Sequence, residues 1–232
     1  LHRGVENRFE RSYRKLKEEL VYIFENLAQH PAFLKINGKP VFTVHGPSNY
    51  EPDVWHKLFE ELREMGHEGI FLGDVARKPN TSEEHVLSYL TVFAGASRYG
   101  QSPPTRWETI YRFMTPLMDE VFPHKIYSAD IQASHIQGWN FHESGPDFAL
   151  NQLWQRMLEV DPDWIQIINW NDEAEHTLFQ PTRQNSDGLL TLSQYYIRRW
   201  KGQPTLKTDR PRIFFLSYKE IVLGQDLRFD VY

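Results

Sequence analysis

The residues best suited to do chemistry sit in one segment, DWIQIINWNDEAEHT, from Asp163 to Thr177. Trp164 to Asn169 is mostly apolar and β-favouring; then Asp172, Glu173, Glu175 and His176 fall within five positions, with an Asn on either side of Trp170. Asp172 and Glu175 are three apart, and a chain turning as it leaves a strand can aim carboxylates at that spacing into one cavity. Paired carboxyls are what glycosidic cleavage needs: an acid for the leaving oxygen and a base or nucleophile opposite. Crowding two anions favours keeping a proton on one of them. The competing reading is a solvated acidic loop, since ion-pair networks imitate functional clusters. Trp170, with Asn169 and Asn171 beside it, tips the balance, because a sugar site combines an aromatic face with amide hydrogen bonds.

The elements that must position this segment form an alternation. Phe9, Tyr13, Leu16, Leu20, Ile23, Phe24 and Leu27 recur at helical steps, predicting an amphipathic helix over Phe9–Ala28. An Asn-Gly turn at Asn37 precedes a short strand, PVFTVHG; Pro52–Met65 reads as a helix ended by Gly66, and Gly69–Val75 as a strand. Thr81-Ser-Glu-Glu resembles a capping box opening a short helix, with SYLTVFAGA after it as a strand. Thr105–Val121 and Asp147–Val160 read as helices around the strand Lys125–Ala133, and Leu189–Trp200 as another helix after the strand DWIQIINW.

Five strands alternating with helices predict βαβ units on a parallel sheet. No G-x-G-x-x-G or Walker pattern follows any strand, which disfavours a nucleotide-binding open sheet. Polar residues gather instead at the strand ends, where a (β/α)8 barrel assembles its active site. On this basis His45, Asp74 and Tyr99 are candidates for sugar binding, as are Trp139, Asn140, Trp170, Asn171 and His176. Asp74 could equally cap the next turn, and Trp139 could equally be core. A barrel needs eight strands, so residues 1–203 are expected to be its later part, with three strands preceding Leu1. Residues 204–232, with the β-like runs RIFFLSY and DLRFDVY and no helix between them, are expected to begin a small β appendage.

Composition narrows the function. The chain has 232 residues, 40 % hydrophobic, and a net charge of −5 in mixed sign without a basic block. Nucleic acid and anionic membrane are therefore not expected partners, and no apolar run is long enough for a membrane span. There is no Cys, which excludes disulfides and thiolate chemistry. The 14 % aromatic content reads first as a bulky core and second as a stacking surface for sugar rings. His135 and His142 could join Asp172 and His176 around a metal, but no H-x-H or H-E-x-x-H occurs and hydrogen-bonded histidines are commoner. No metal or other cofactor is expected. Arg198–Lys201 reads as a solvated helix end that favours the dipole.

IQIINWNDEAEHTLFQP resembles the I-x-W-N-D-x-x-E-S-x-x-x-x-P segment of glycoside hydrolase family 71, the α-1,3-glucanases or mutanases. It is also similar to the N-E-W-x-E-G-T segment of family 99, the endo-α-mannosidases. HPAFLKINGKPVFTVHG resembles the P-x-Y-x-x-x-G-K-P-V strand of both, and YYIRRWKGQPT resembles the exit of family 71 from its barrel. His176 stands where Ser or Gly is usual and Glu173 where an aromatic is, departures that bear on substrate preference. The resemblance implies a (β/α)8 α-glucan hydrolase with Asp172 and Glu175 as its carboxyl pair. Glu175 would be the general acid and Asp172 the base or charge stabiliser, with a further acid on an early strand. Family 71 inverts and family 99 retains through a substrate hydroxyl, so both outcomes stay open. The expected partner is an oligo- or polysaccharide met by a monomer. A secreted or cell-envelope location is expected for the full-length protein. The rival reading is a carbohydrate-binding or polysaccharide-assembly protein on the same barrel, because a fold alone proves no activity.

Overall fold

The computed structural model describes residues 8–75, 81–99, 111–132, 135–137, 140–142, 150–175, 177–183 and 186–204. The expected β appendage lies outside them but for Pro204. The chain divides between Ser97 and Arg98 into two compact units.

The first unit opens with helix α1 (Arg8–Tyr22), which runs on as a π-helical turn over Ile23–Leu27. Its apolar stripe buries Leu20 and Phe24 and leaves the charged face outside. Strands β1 (Lys35–Ile36) and β2 (Lys39–Val44) pair antiparallel around Asn37 and Gly38. Both turn residues have positive φ, 50° and 80°, which is why Asn-Gly suits this two-residue turn. Helix α2 (Pro52–Glu64) starts with Pro at its first position and ends before Gly66, whose φ of 84° only glycine adopts readily. It leads to β3 (Ile70–Gly73), parallel to β2 with Val41 opposite Ile70. Helix α3 (Glu83–Leu90) then leads to β4 (Gly95–Ser97), parallel to β3.

Two sequence expectations are corrected in this unit. The strand expected over SYLTVFAGA is helical through Leu90, and only Gly95–Ser97 is extended. Val86, Tyr89 and Leu90 recur at helical spacing and are all buried, so packing of a helix face overrides the β preference of the local residues. The cap of α3 is Ser82 and not Thr81: its hydroxyl accepts from the His85 N–H at 3.2 Å.

Much of the aromatic content of this unit packs together, although Phe9 and Tyr22 on α1 are exposed. Phe71 stacks on Phe42 at 4.8 Å and on Phe59 at 4.2 Å, and Trp55 and Phe93 meet edge-on at 5.4 Å. α1 is tied to α2 where Tyr13 and Lys17 each donate to Glu61 Oε2 at 3.0 Å.

In the second unit residues 111–116 form helix α4, continued by a π-helical turn over Leu117–Val121. Strand β5 (Ile126–Gln132) follows, then a short antiparallel hairpin of β6 (His135–Gln137) and β7 (Asn140–His142). Helix α5 (Leu150–Val160) connects to β8 (Trp164–Ile168), which lies parallel to β5 with Asp130 opposite Gln166. The entry to this pair is pinned by Asp163, whose carboxylate accepts from the Tyr127 N–H at 2.8 Å. Helix α6 (Gly188–Trp200) closes the unit by packing on α5, Tyr196 stacking on fully buried Trp154 at 5.8 Å. Both units therefore repeat strand, helix and parallel strand, the α/β class expected from the alternation. Among the described residues no helix is long and apolar enough to cross a membrane.

Candidate active site

The polar residues that follow β8 are held by a loop that fastens onto itself. Backbone bonds close it: Asn169 N–H donates to Thr177 O at 2.9 Å, Phe179 N–H to Asn169 O at 3.0 Å, and Gln180 N–H to Trp170 O at 2.9 Å. The peptide between Ile168 and Asn169 is cis. Inside this frame Thr177 N–H donates to Asp172 O at 3.1 Å, and Asp172 Oδ1 accepts from the Glu175 N–H at 3.0 Å. The three-residue spacing thus forms a side-chain-capped turn. Both acidic side chains are half-buried, neither sealed in the core nor fully solvated.

Asn169 is the hub beneath them. Its amide nitrogen lies 3.3 Å from Asp172 Oδ2, 3.1 Å from Thr177 Oγ1 and 3.3 Å from the Tyr99 hydroxyl. The Tyr99 hydroxyl also lies 3.4 Å from Asn169 Oδ1. One polarity satisfies all of these groups: Tyr99 O–H donates to Oδ1, and the two amide N–H groups go to Asp172 and Thr177. Both oxygens of Asp172 then act as acceptors. Trp170 stands 56 % exposed beside them and Asn171 is exposed.

A second polar group of this unit escaped the sequence reading. Asp130, in the middle of β5, is wholly buried. Arg98, just past β4 and equally buried, brings its Nε to 3.4 Å from Asp130 Oδ1. The Tyr111 hydroxyl from α4 lies 3.3 Å from the same oxygen and from Asp130 O. Burial first, and the Asp130 charge second, push the Tyr111 phenol well above its ordinary value. Tyr127, on the same strand, is raised chiefly by burial. The available signal was a charged residue in the middle of a strand that is otherwise uncharged, which is rarely tolerated without a partner.

The first unit carries the other two candidates. His45, just after β2, is exposed; its Nδ1 lies 3.3 Å from Oδ2 of buried Asp74 at the end of β3. Asp74 N–H donates to Val44 O at 3.0 Å, so the carboxylate belongs to the strand end and the imidazole reaches outward. A cleft of about 180 Å³ lies at the opposite ends of these strands, around Lys39, Arg63 and His67. Lys39 and Arg63 there are paired with Glu68 and Glu60, and His67 faces Glu25, which leaves the cleft poorly suited to anions. Trp139 and His176 lie outside the described residues, as do the side chains of Asn140, His135 and His142; the backbone register sets His135 opposite His142. Among the described residues no group of three or more His, Asp or Glu could hold a metal ion.

The fold has known counterparts. No family model matches the chain, and no curated protein does. Among solved structures it is similar to the GH99 endo-α-mannosidase of Bacteroides thetaiotaomicron, at 16 % identity and a TM-score of 0.68 over 82 % of this chain. The same enzyme in complex with bis-tris-propane matches at 17 % identity and a TM-score of 0.69, again over 82 % of this chain. The chain spans 63 % and 67 % of those two chains. The likeness establishes the fold: this chain is built as part of a (β/α)8 barrel.

Proposed function

We propose that the protein is a glycoside hydrolase that cleaves α-linked glucan, with Glu175 as general acid and Asp172 as base or charge stabiliser. The observation that supports this reading is the turn after β8, in which the Glu175 N–H holds Asp172 Oδ1, both acidic residues are half-buried and Trp170 is exposed. A barrel-type strand end is where such chemistry is assembled, and the similar solved structures are of a glycosidase. The α-1,3-glucan preference rests on the resemblance of the segment around Asp172 to family 71. The substrate is an oligo- or polysaccharide, Trp170 and Asn171 line its path, and no metal is required.

The leaving group tests the roles. Glu175→Gln keeps the shape but has no proton to give, so cleavage of natural glucan should fall by ~10²–10⁴-fold, the usual contribution of general acid catalysis. An activated aryl glycoside needs little protonation and should suffer much less. Asp172→Asn should impair both substrates alike. Equal losses for both substrates in Glu175→Gln would reverse the assignment. Full activity in both variants would leave a sugar-binding barrel. Running α-1,3-glucan beside α-mannan assays linkage and sugar preference, and EDTA should leave the rate unchanged.

A further inference from the structure

We infer that Asn169 is a positioning residue for Asp172, acting through that carboxylate and not through the sugar; this rests on the hydrolase reading above. The sequence suggests the reverse, an amide beside a Trp that binds substrate. The geometry instead commits the amide internally. Its oxygen faces the Tyr99 hydroxyl at 3.4 Å, and its nitrogen serves Asp172 Oδ2 at 3.3 Å and Thr177 Oγ1 at 3.1 Å.

The loop does not need that side chain to close. The backbone bonds from Asn169 to Thr177, from Phe179 to Asn169 and from Gln180 to Trp170 already fasten it. What the amide adds is a second fixed donor to Asp172. The Glu175 N–H holds Oδ1, and with Asn169 on Oδ2 the carboxylate can no longer rotate about its own axis. A carboxylate held at both oxygens by fixed donors is kept in orientation, as a base or charge stabiliser must be before substrate arrives. Tyr99 extends the support by fixing which end of the amide faces Asp172.

The test uses the whole protein and compares variants that separate the donor from the loop tie. Asn169→Leu is close to the amide in shape but offers Asp172 no donor. Its kcat should fall by about 10²-fold, the cost of misplacing a reacting group, while KM stays near wild type. Asn169→Ser removes the amide without adding apolar bulk and should give the same split of kcat from KM, so a misfolded Asn169→Leu does not end the test. Thr177→Val cuts the side-chain tie and keeps the donor to Asp172; it should lower the thermal midpoint and leave kcat within about twofold.

Several outcomes overturn the inference. A rise in KM at constant kcat in Asn169→Ser would make Asn169 a direct sugar ligand. Equal kcat losses in Thr177→Val and Asn169→Ser would make the loop tie the whole effect. If Asp172→Asn and Glu175→Gln lose turnover while both Asn169 variants keep it, the positioning role fails and the hydrolase reading stands. If Asp172→Asn and Glu175→Gln keep wild-type turnover, the hydrolase reading fails and takes this inference with it.

Discussion

Asp130 and Asp172 belong to the same unit, one within β5 and the other just beyond its parallel neighbour β8, yet their surroundings are opposite. Asp130 lies within β5, wholly buried between Arg98 and the Tyr111 hydroxyl. Asp172 lies past the end of β8 on a turn, half-buried, with neutral amide donors on both oxygens. A buried charge must be matched by a charge or it destabilises the fold. A carboxylate matched only by neutral donors, and still reached by solvent, keeps its reactivity available. Burial and partner type, more than the carboxyl itself, separate a residue that holds the structure from one placed to act on a ligand.

The strongest way to break this contrast is to remove one partner of the buried pair. Asp130→Asn leaves Arg98 charged and buried, and Arg98→Met leaves Asp130 so; each should cost about 3–5 kcal/mol of unfolding free energy. The double variant, with neither charge, should recover a large part of that loss. Urea unfolding with an unchanged m-value measures it. Single losses below about 1 kcal/mol would mean that water reaches the pair and that burial does not distinguish Asp130 from Asp172.

Trp170 sharpens the other side. With 56 % of its surface exposed, its removal should touch stability little, within about 0.5 kcal/mol for Trp170→Ala. If it stacks on a sugar ring, KM should rise about tenfold, equivalent to ~1.4 kcal/mol. Titrating glucan oligosaccharides against the variant, alongside urea melts, reads both. A large stability loss with unchanged KM would return Trp170 to a structural role.

The contrast also explains what the sequence disclosed. β2, β3, β5 and β8 were legible because apolar runs between turn signals have few alternatives, and the Asn37–Gly38 turn specifies its own geometry. β4 was not, because Gly95, Ala96 and Ser97 carry no β signal and the more apolar Tyr89–Phe93 nearby drew the assignment to itself. The acid pair of the turn was legible because three residues of spacing is a local property. The Arg98–Asp130 pair was not, because its partners are far apart in sequence and meet only in the folded chain. Asn169 shows a third case: its type was visible beside Trp170, but its hydrogen bonds depend on Tyr99 and Thr177, which only the folded loop brings to it.

Glu61 supplies the intermediate case. Its side chain is 27 % exposed, and it accepts from both Tyr13 and Lys17 across the α1–α2 contact. The Lys17 hydrogen bond, and to a lesser extent that of Tyr13, hold its carboxyl below the ordinary glutamate value against the opposing effect of burial. A lowered value means the folded protein binds this proton less readily than the unfolded chain does. Its stabilisation is therefore fully present above the unfolded value, near pH ~4.3, and is lost as pH falls through the lower folded value. Solvent screening limits the size of such a tie, so Glu61→Gln should cost about 0.5–1 kcal/mol at pH 7. Once pH has fallen below the lowered folded value the wild-type carboxyl is itself neutral, and the two proteins should unfold at closely similar urea concentrations. A gap that stays constant as pH falls from 7 through that value would mean that Glu61 contributes packing and not charge. A gap at pH 7 as large as that of Asp130→Asn would mean that partial exposure does not attenuate an ion pair here, and the grading of these carboxylates by burial would fail.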